Sequence, residues 1–178
     1  MTRTLANALQ RGKVPHAFIF AGPRGCGKTT TARLLAKALN CEGDSRPEPC
    51  NACPSCLEIE AGSSFDVREI DGATYTGVDN IRQLQEELIV APVRGKYRIY
   101  IVDEVHMLST SAFNAFLKTL EEPPDHVKFI FATTELHKVL PTVRSRCHIF
   151  RFRRLGLGEI TGQLRCISDA EGIDVTDE

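Results

Sequence analysis

Gly22-Pro23-Arg24-Gly25-Cys26-Gly27-Lys28-Thr29 follows the apolar run AFIF (Ala17 to Phe20) and precedes helically spaced Leu34, Leu35 and Ala38. A loop of the form GxxxxGK(S/T) between a strand and a helix admits few folds. Its glycines let the backbone turn N–H groups inward around a phosphate, and the following helix presents its positive end to the same spot. Lys28 adds a point charge for the β- and γ-phosphates, and the Thr29 hydroxyl is a candidate Mg²⁺ ligand. Thr30 continues the helix start and completes the candidate nucleotide-binding set, while Cys26 at a variable position is read as a small residue facing the loop.

The rest of the chain supplies elements for a sheet around this loop. Runs rich in β-branched and aromatic residues recur as FDVREI (Phe65 to Ile70), RIYIVD (Arg98 to Asp103), KFIFAT (Lys128 to Thr133) and HIFRF (His148 to Phe152). With AFIF they predict five strands. Between them, Ile81, Leu84 and Leu88, and then Phe113, Phe116, Leu117 and Leu120, carry helical spacing. Asp79 and Ser111 are the expected N-caps, and Pro123-Pro124 ends the helix that holds Leu120. Strands without polar alternation, separated by helices, predict an α/β domain whose five-stranded parallel sheet is covered by helices on both faces. From Leu157 the sequence reads as one more helix (Ile160, Leu164, Ile167) and an acidic tail.

Asp103 and Glu104 end the apolar strand IYIV. In a protein with this loop, that position holds a second contact to Mg²⁺ and a residue that orients or deprotonates the attacking water. Asp103 is assigned to the metal and Glu104 to the water. A small-molecule kinase needs only the first carboxylate, so Glu104 favours hydrolysis of ATP.

The 178-residue chain has a formal net charge of −1, which gives no electrostatic advertisement for nucleic acid. No apolar run is long enough to span a bilayer, no signal peptide is seen, and a cytoplasmic protein is expected. Four of the seven cysteines crowd together as Cys41 and Cys50-x2-Cys53-x2-Cys56. In a reducing compartment they are read as tetrahedral Zn²⁺ ligands, with a closed, structural role. Unligated thiols and an iron–sulfur cluster are the rivals, but a fourth cysteine lying upstream departs from the ferredoxin pattern.

The order of motifs resembles one family. Phosphate loop, cysteine insertion, DEVHML (Asp103 to Leu108), FNAFLKTLEEPPDHVKFIFATTE (Phe113 to Glu135) and RSRC (Arg144 to Cys147) together are similar to the AAA+ clamp loaders of bacterial DNA polymerase. The resemblance runs from about Leu5 to Phe152 and implies a P-loop NTPase of AAA+ type. It implies Thr134 as a sensor of the γ-phosphate and Arg146 as an arginine finger supplied in trans to a neighbouring subunit. It also implies other loader subunits, a sliding clamp and primer-template DNA as partners, with ATP opening the clamp and DNA triggering hydrolysis. Such a chain belongs to a DNA polymerase holoenzyme without carrying a polymerase site.

On this reading residues 1–154 form the nucleotide-binding domain, with the zinc insertion at 41–56, and 155–178 begin a helical lid. Further family segments on either side are expected to be missing, so the chain is read as a fragment. Ser109, Thr110 and Ser111 open a helix that offers an N-terminus to a DNA phosphate, although capping alone accounts for them. Two alternatives are a delta-prime-like subunit that does not hydrolyse and a non-catalytic, zinc-stapled DNA-binding module. Intact Lys28, Thr29, Asp103 and Glu104 speak against the first, and the near-neutral charge against the second.

Overall fold

The computed structural model describes residues 3–43, 47–74, 84 and 87–173. Its centre is a five-stranded parallel sheet of β1 (Ala17–Ala21), β2 (Val67–Asp71), β3 (Arg98–Asp103), β4 (Val127–Thr133) and β5 (His148–Arg151), ordered β2-β3-β4-β1-β5. The described helices are α1 (Arg3–Gln10), α2 (Lys28–Asn40), α3 (Pro54–Glu60), α4 (Thr110–Glu121), α5 (Pro141–Arg144) and α6 (Leu157–Glu171), with one-turn 3-10 helices at Val105–Met107 and Leu136–Lys138. All sheet pairings are parallel, so every strand delivers its C-terminal end to the same edge. That edge receives the phosphate loop from β1 and Asp103 from β3.

The uninterrupted apolar runs explain the burial of the middle strands. β1 and β4 are buried at every residue, and Ile99 to Val102 of β3 likewise. On one face Phe116 of α4 meets Phe129 and Phe131 edge-on at 5.8 and 5.9 Å. On the other, Leu35 and Leu39 of α2 pack with Phe18, Phe20, Ile99 and Ile101. The coverage expected of the whole sheet holds for these three strands and fails at the edges. VREID in β2 and HIFR in β5 place charged residues among apolar ones and keep exposed positions, as edge strands do.

Two boundaries also differ from the sequence reading. Strand β2 starts at Val67, because Asp66 turns inward and accepts the N–H groups of Val93, Arg94 and Gly95 at 2.6, 2.8 and 2.7 Å, leaving Phe65 80% exposed. The N-cap of α4 is Ser109 in place of Ser111, its Oγ accepting from Ala112 N at 3.2 Å. The expected cap Asp79, Ile81 and the acidic tail at 174–178 lie outside the described residues; Leu84 and Leu88 are buried in the core. Helix α6 forms where expected, and its apolar residues Leu157, Ile160, Leu164 and Ile167 are all exposed. No helix among the described residues is long and apolar enough to cross a membrane.

Candidate active site

The phosphate loop leaves β1 at Gly22, whose N–H bonds to Thr133 O at 3.1 Å and ties the loop to the end of β4. Gly25 (φ 73°) and Gly27 (φ 87°) are left-handed, a conformation that a Cβ disfavours, and Gly27 caps α2. Lys28 is buried. Its Nζ donates to Gly22 O at 3.0 Å and Pro23 O at 2.9 Å, which places the ammonium inside the loop. Cys26 is buried too, its thiol donating to Pro23 O at 2.9 Å, as expected of a small residue turned into the loop.

Parallel pairing of β1, β4 and β3 brings the acidic pair beside this loop. Thr29 Oγ1 donates to Asp103 Oδ2 at 2.8 Å across 74 positions of sequence. A cleft of about 600 Å³ is lined by Arg24, Gly25, Lys28, Thr29, Asp103 and Glu104, among others. On its flank Arg33 of α2 makes two bonds to Glu69 of β2, at 2.5 and 2.8 Å. That pairing raises the Arg33 pKa through the Glu69 hydrogen bond and charge.

Glu104 adopts φ 44°, ψ 47°, the left-handed region, where a non-glycine residue costs about 1–3 kcal/mol and is found at functional positions. The backbone around it is clamped: Gly72 N donates to Asp103 O at 2.8 Å, and a Cβ on Gly72 would lie 2.7 Å from Glu104 O. Glu104 Oε2 accepts from both Thr134 N and Thr134 Oγ1 at 3.0 Å. The carboxylate and the residue expected to sense the γ-phosphate are therefore direct partners.

Sequence reasoning missed two further groups here. His106 packs against Glu104, and Glu135, next to Thr134, faces the other side of its ring. Lys138 bonds to Glu135 at 2.5 Å and holds its carboxyl below the ordinary range, His106 and His137 adding to the effect. The available signals were adjacency alone, His106 two positions after Glu104 and Glu135 one after Thr134.

Arg146 lies at the opposite end of the sheet. Its register neighbour segment pairs Phe18 with His148 and Ala21 with Arg151, so Arg146 precedes the start of β5 while the phosphate loop begins beyond its end. Arg146 sits in the turn before β5, and the four strand steps from His148 to Phe152 beside Gly22, about 3.3 Å each, already separate the start of β5 from the loop by about 13 Å. No arginine side chain spans that. Arg146 Nη1 donates to Thr142 O at 2.7 Å and Nη2 pairs with Glu121 Oε1 at 2.6 Å, while Cys147 packs against the core and burial pushes its thiol up to about 12.

The four cysteines of the insertion converge. Their sulfurs all lie within 4.8 Å of one another, and tetrahedral Zn–S bonds of about 2.3 Å require sulfurs about 3.8 Å apart. Cys41 Sγ accepts N–H groups of Gly43 and Cys50 at 3.4 and 3.3 Å, and Cys50 Sγ accepts that of Cys53 at 3.3 Å. Backbone donors lower the Cys50 thiol to about 6, whereas burial raises that of Cys56 to about 12. Such donors suit thiolate ligands, so the residues fit a zinc ion. Helix α3, which starts just after Cys53 and carries Cys56, was not foreseen in this insertion.

Comparisons with known proteins bear on the family and the fold. A family model described as DNA polymerase III, delta subunit, matches residues 1–156. The chain is 52% identical over 175 residues to DNA polymerase III subunit tau of Bacillus subtilis, covering 98% of this chain and 31% of that protein. It is 49% identical over 179 residues to subunit gamma/tau of Mycobacterium tuberculosis, covering 99% and 31%. It thus spans less than a third of the length of these relatives. Among solved structures, a DNA polymerase III gamma subunit-related protein of Thermotoga maritima aligns with TM-score 0.58 at 21% identity, covering 93% of this chain and 52% of the other. RuvB, the Holliday junction branch migration motor of the same organism, aligns with TM-score 0.64 at 19% identity, covering 98% and 50%. These structures share the fold, a P-loop sheet of AAA+ type.

Proposed function

The chain belongs to the DNA polymerase III, delta subunit, family, and from that premise we propose that it is the ATP-binding and ATP-hydrolysing part of a clamp-loader motor subunit. Similarity to tau and gamma/tau subunits supports this reading over the other members of a loader. Its work is to open a sliding clamp and load it onto primed DNA, in the cytoplasm, as one subunit of a hetero-oligomer. The observation that carries the reading is the 2.8 Å contact of Thr29 with Asp103 beneath an intact phosphate loop.

Gly22 to Thr30 wrap the phosphates, Lys28 meets the β- and γ-phosphates, and Thr29 with Asp103 hold Mg²⁺. Magnesium supplies positive charge against the phosphoryl oxygens. Glu104 orients the water and takes its proton as the water oxygen attacks the γ-phosphorus, and ADP and phosphate leave. Thr134, bonded to Glu104, senses the γ-phosphate. Arg146 serves the site of a neighbouring subunit, because the sheet separates it from its own. Cys41, Cys50, Cys53 and Cys56 hold a structural zinc. Residues 1–154 form the nucleotide domain, and α6 with its exposed apolar face begins a helical lid.

ATP binding by the complete subunit, with and without Mg²⁺, tests the proposal. Loss of the charge-assisted Lys28 contacts, about 1.5–3 kcal/mol, predicts affinity about 10- to 100-fold weaker in Lys28→Ala. Equal affinity of both proteins contradicts it. The matching family model is described by a delta subunit, which keeps a second reading open, a delta-prime-like subunit that does not hydrolyse. Phosphate release from the assembled loader separates the two.

A further inference from the structure

The ring of His106 sits between two carboxylates. It belongs to the 3-10 turn that follows Glu104, and its side chain is 7% exposed. Nδ1 lies 3.2 Å from Glu104 Oε2 and 3.0 Å from Thr133 Oγ1, and Nε2 lies 3.3 Å from Glu135 Oε2. Glu135 is itself fixed, its N–H donating to Thr133 Oγ1 at 3.0 Å and its carboxylate paired with Lys138 at 2.5 Å. An imidazole whose one nitrogen rests on a fixed acceptor has its rotation set, so the other nitrogen is aimed.

We infer that His106 is a positioning residue for Glu104: with a proton on each ring nitrogen, it donates through Nε2 to Glu135 and through Nδ1 to the carboxylate that activates water. The inference rests on the assignment of Glu104 to hydrolysis proposed above. Thr134 N and Thr134 Oγ1 donate to Oε2, and His106 Nδ1, shared with Thr133 Oγ1, lies within 3.2 Å of the same oxygen, so Oε1 takes none of these three and is the oxygen presented to water. When the Thr134 hydroxyl turns to a γ-phosphate oxygen, Oε2 loses one of the three. His106 then keeps the carboxylate from swinging with it. A small displacement of an oriented group costs about 10²-fold in rate.

The two nitrogens can be tested separately, because an asparagine amide nitrogen occupies the place of Nδ1 and a glutamine nitrogen that of Nε2. The complete subunit, assembled in its loader with primed DNA, is assayed for ATP affinity, kcat and thermal unfolding. His106→Ala lowers kcat about 10²-fold with ATP affinity nearly unchanged; His106→Asn recovers most of the rate, and His106→Gln does not. Equal rates for His106→Asn and His106→Gln, or loss of ATP affinity in step with kcat, overturn the inference and leave a structural histidine. If His106→Ala unfolds, the two amide variants decide alone. A parent loader that binds ATP without turning it over refutes the hydrolytic reading of Glu104 and this inference with it, whereas turnover that ignores all three variants refutes this inference only.

Discussion

Replacing Arg146 by alanine separates a local role from a trans role by magnitude. In its own chain Arg146 makes an ion pair with Glu121 and a bond to Thr142 O, its side chain 33% and that of Glu121 52% exposed. An exposed pair contributes about 1 kcal/mol at most and the carbonyl bond about the same, so the local role predicts a small loss of stability and no change in rate. A finger on a neighbour's γ-phosphoryl group contributes about 10³-fold or more, which is about 4 kcal/mol of barrier. The length of β5 between Arg146 and the loop, about 13 Å from His148 to Phe152, excludes action on its own loop. In the assembled loader with clamp and primed DNA, Arg146→Ala should leave ATP affinity nearly unchanged and reduce phosphate release about 10³-fold. Mixing Arg146→Ala subunits with Lys28→Ala subunits should restore turnover at interfaces that combine both native groups. Full turnover by a homogeneous Arg146→Ala assembly refutes the reasoning and leaves Arg146 as a surface residue with one ion pair.

Two further outcomes follow from the geometry. Protein purified without chelator should carry one zinc per chain; Cys53→Ser should lose it and loosen 41–56 while the sheet stays intact by hydrogen exchange, and acidification should release the metal because protons compete for the sulfurs. Metal content near zero with freely titratable thiols contradicts this. Gly72→Ala, whose Cβ would lie 2.7 Å from Glu104 O and 2.9 Å from Asp103 O, should displace the strained Glu104 turn and lower phosphate release while sparing ATP affinity; unaltered kcat would remove Gly72 from any account of the site.

The sequence was most legible where one physical cause acted alone. Uninterrupted apolar runs placed β1, β3 and β4 within a residue of where they lie, since strands buried on both faces tolerate no polar alternation. Glycine spacing located the loop for the same reason, because the left-handed turns at Gly25 and Gly27 restrict the residue type. Where two causes compete, the sequence alone does not select between them. Phe65 looks like strand, but Asp66 beside it serves the turn at 93–95, and that demand wins. Ser109 and Ser111 are equivalent as caps in sequence, and only the path of the chain out of the preceding 3-10 turn selects Ser109. The His106, Glu104 and Glu135 arrangement depends on two strand ends meeting in space. No periodicity within one segment encodes it.

Trapping nucleotide on Glu104→Gln tests the central claim most directly. The variant keeps the phosphate loop, Lys28 and the Thr29 to Asp103 contact but lacks a proton acceptor at the end of β3. When the complete subunit, assembled with its partners and primed DNA, is mixed with ATP and the bound nucleotide is recovered after many turnover times of the parent, the account predicts ATP on the variant and ADP on the parent. ADP on both, or no nucleotide on the variant, contradicts the claim that this site binds ATP through its loop and hydrolyses it through Glu104.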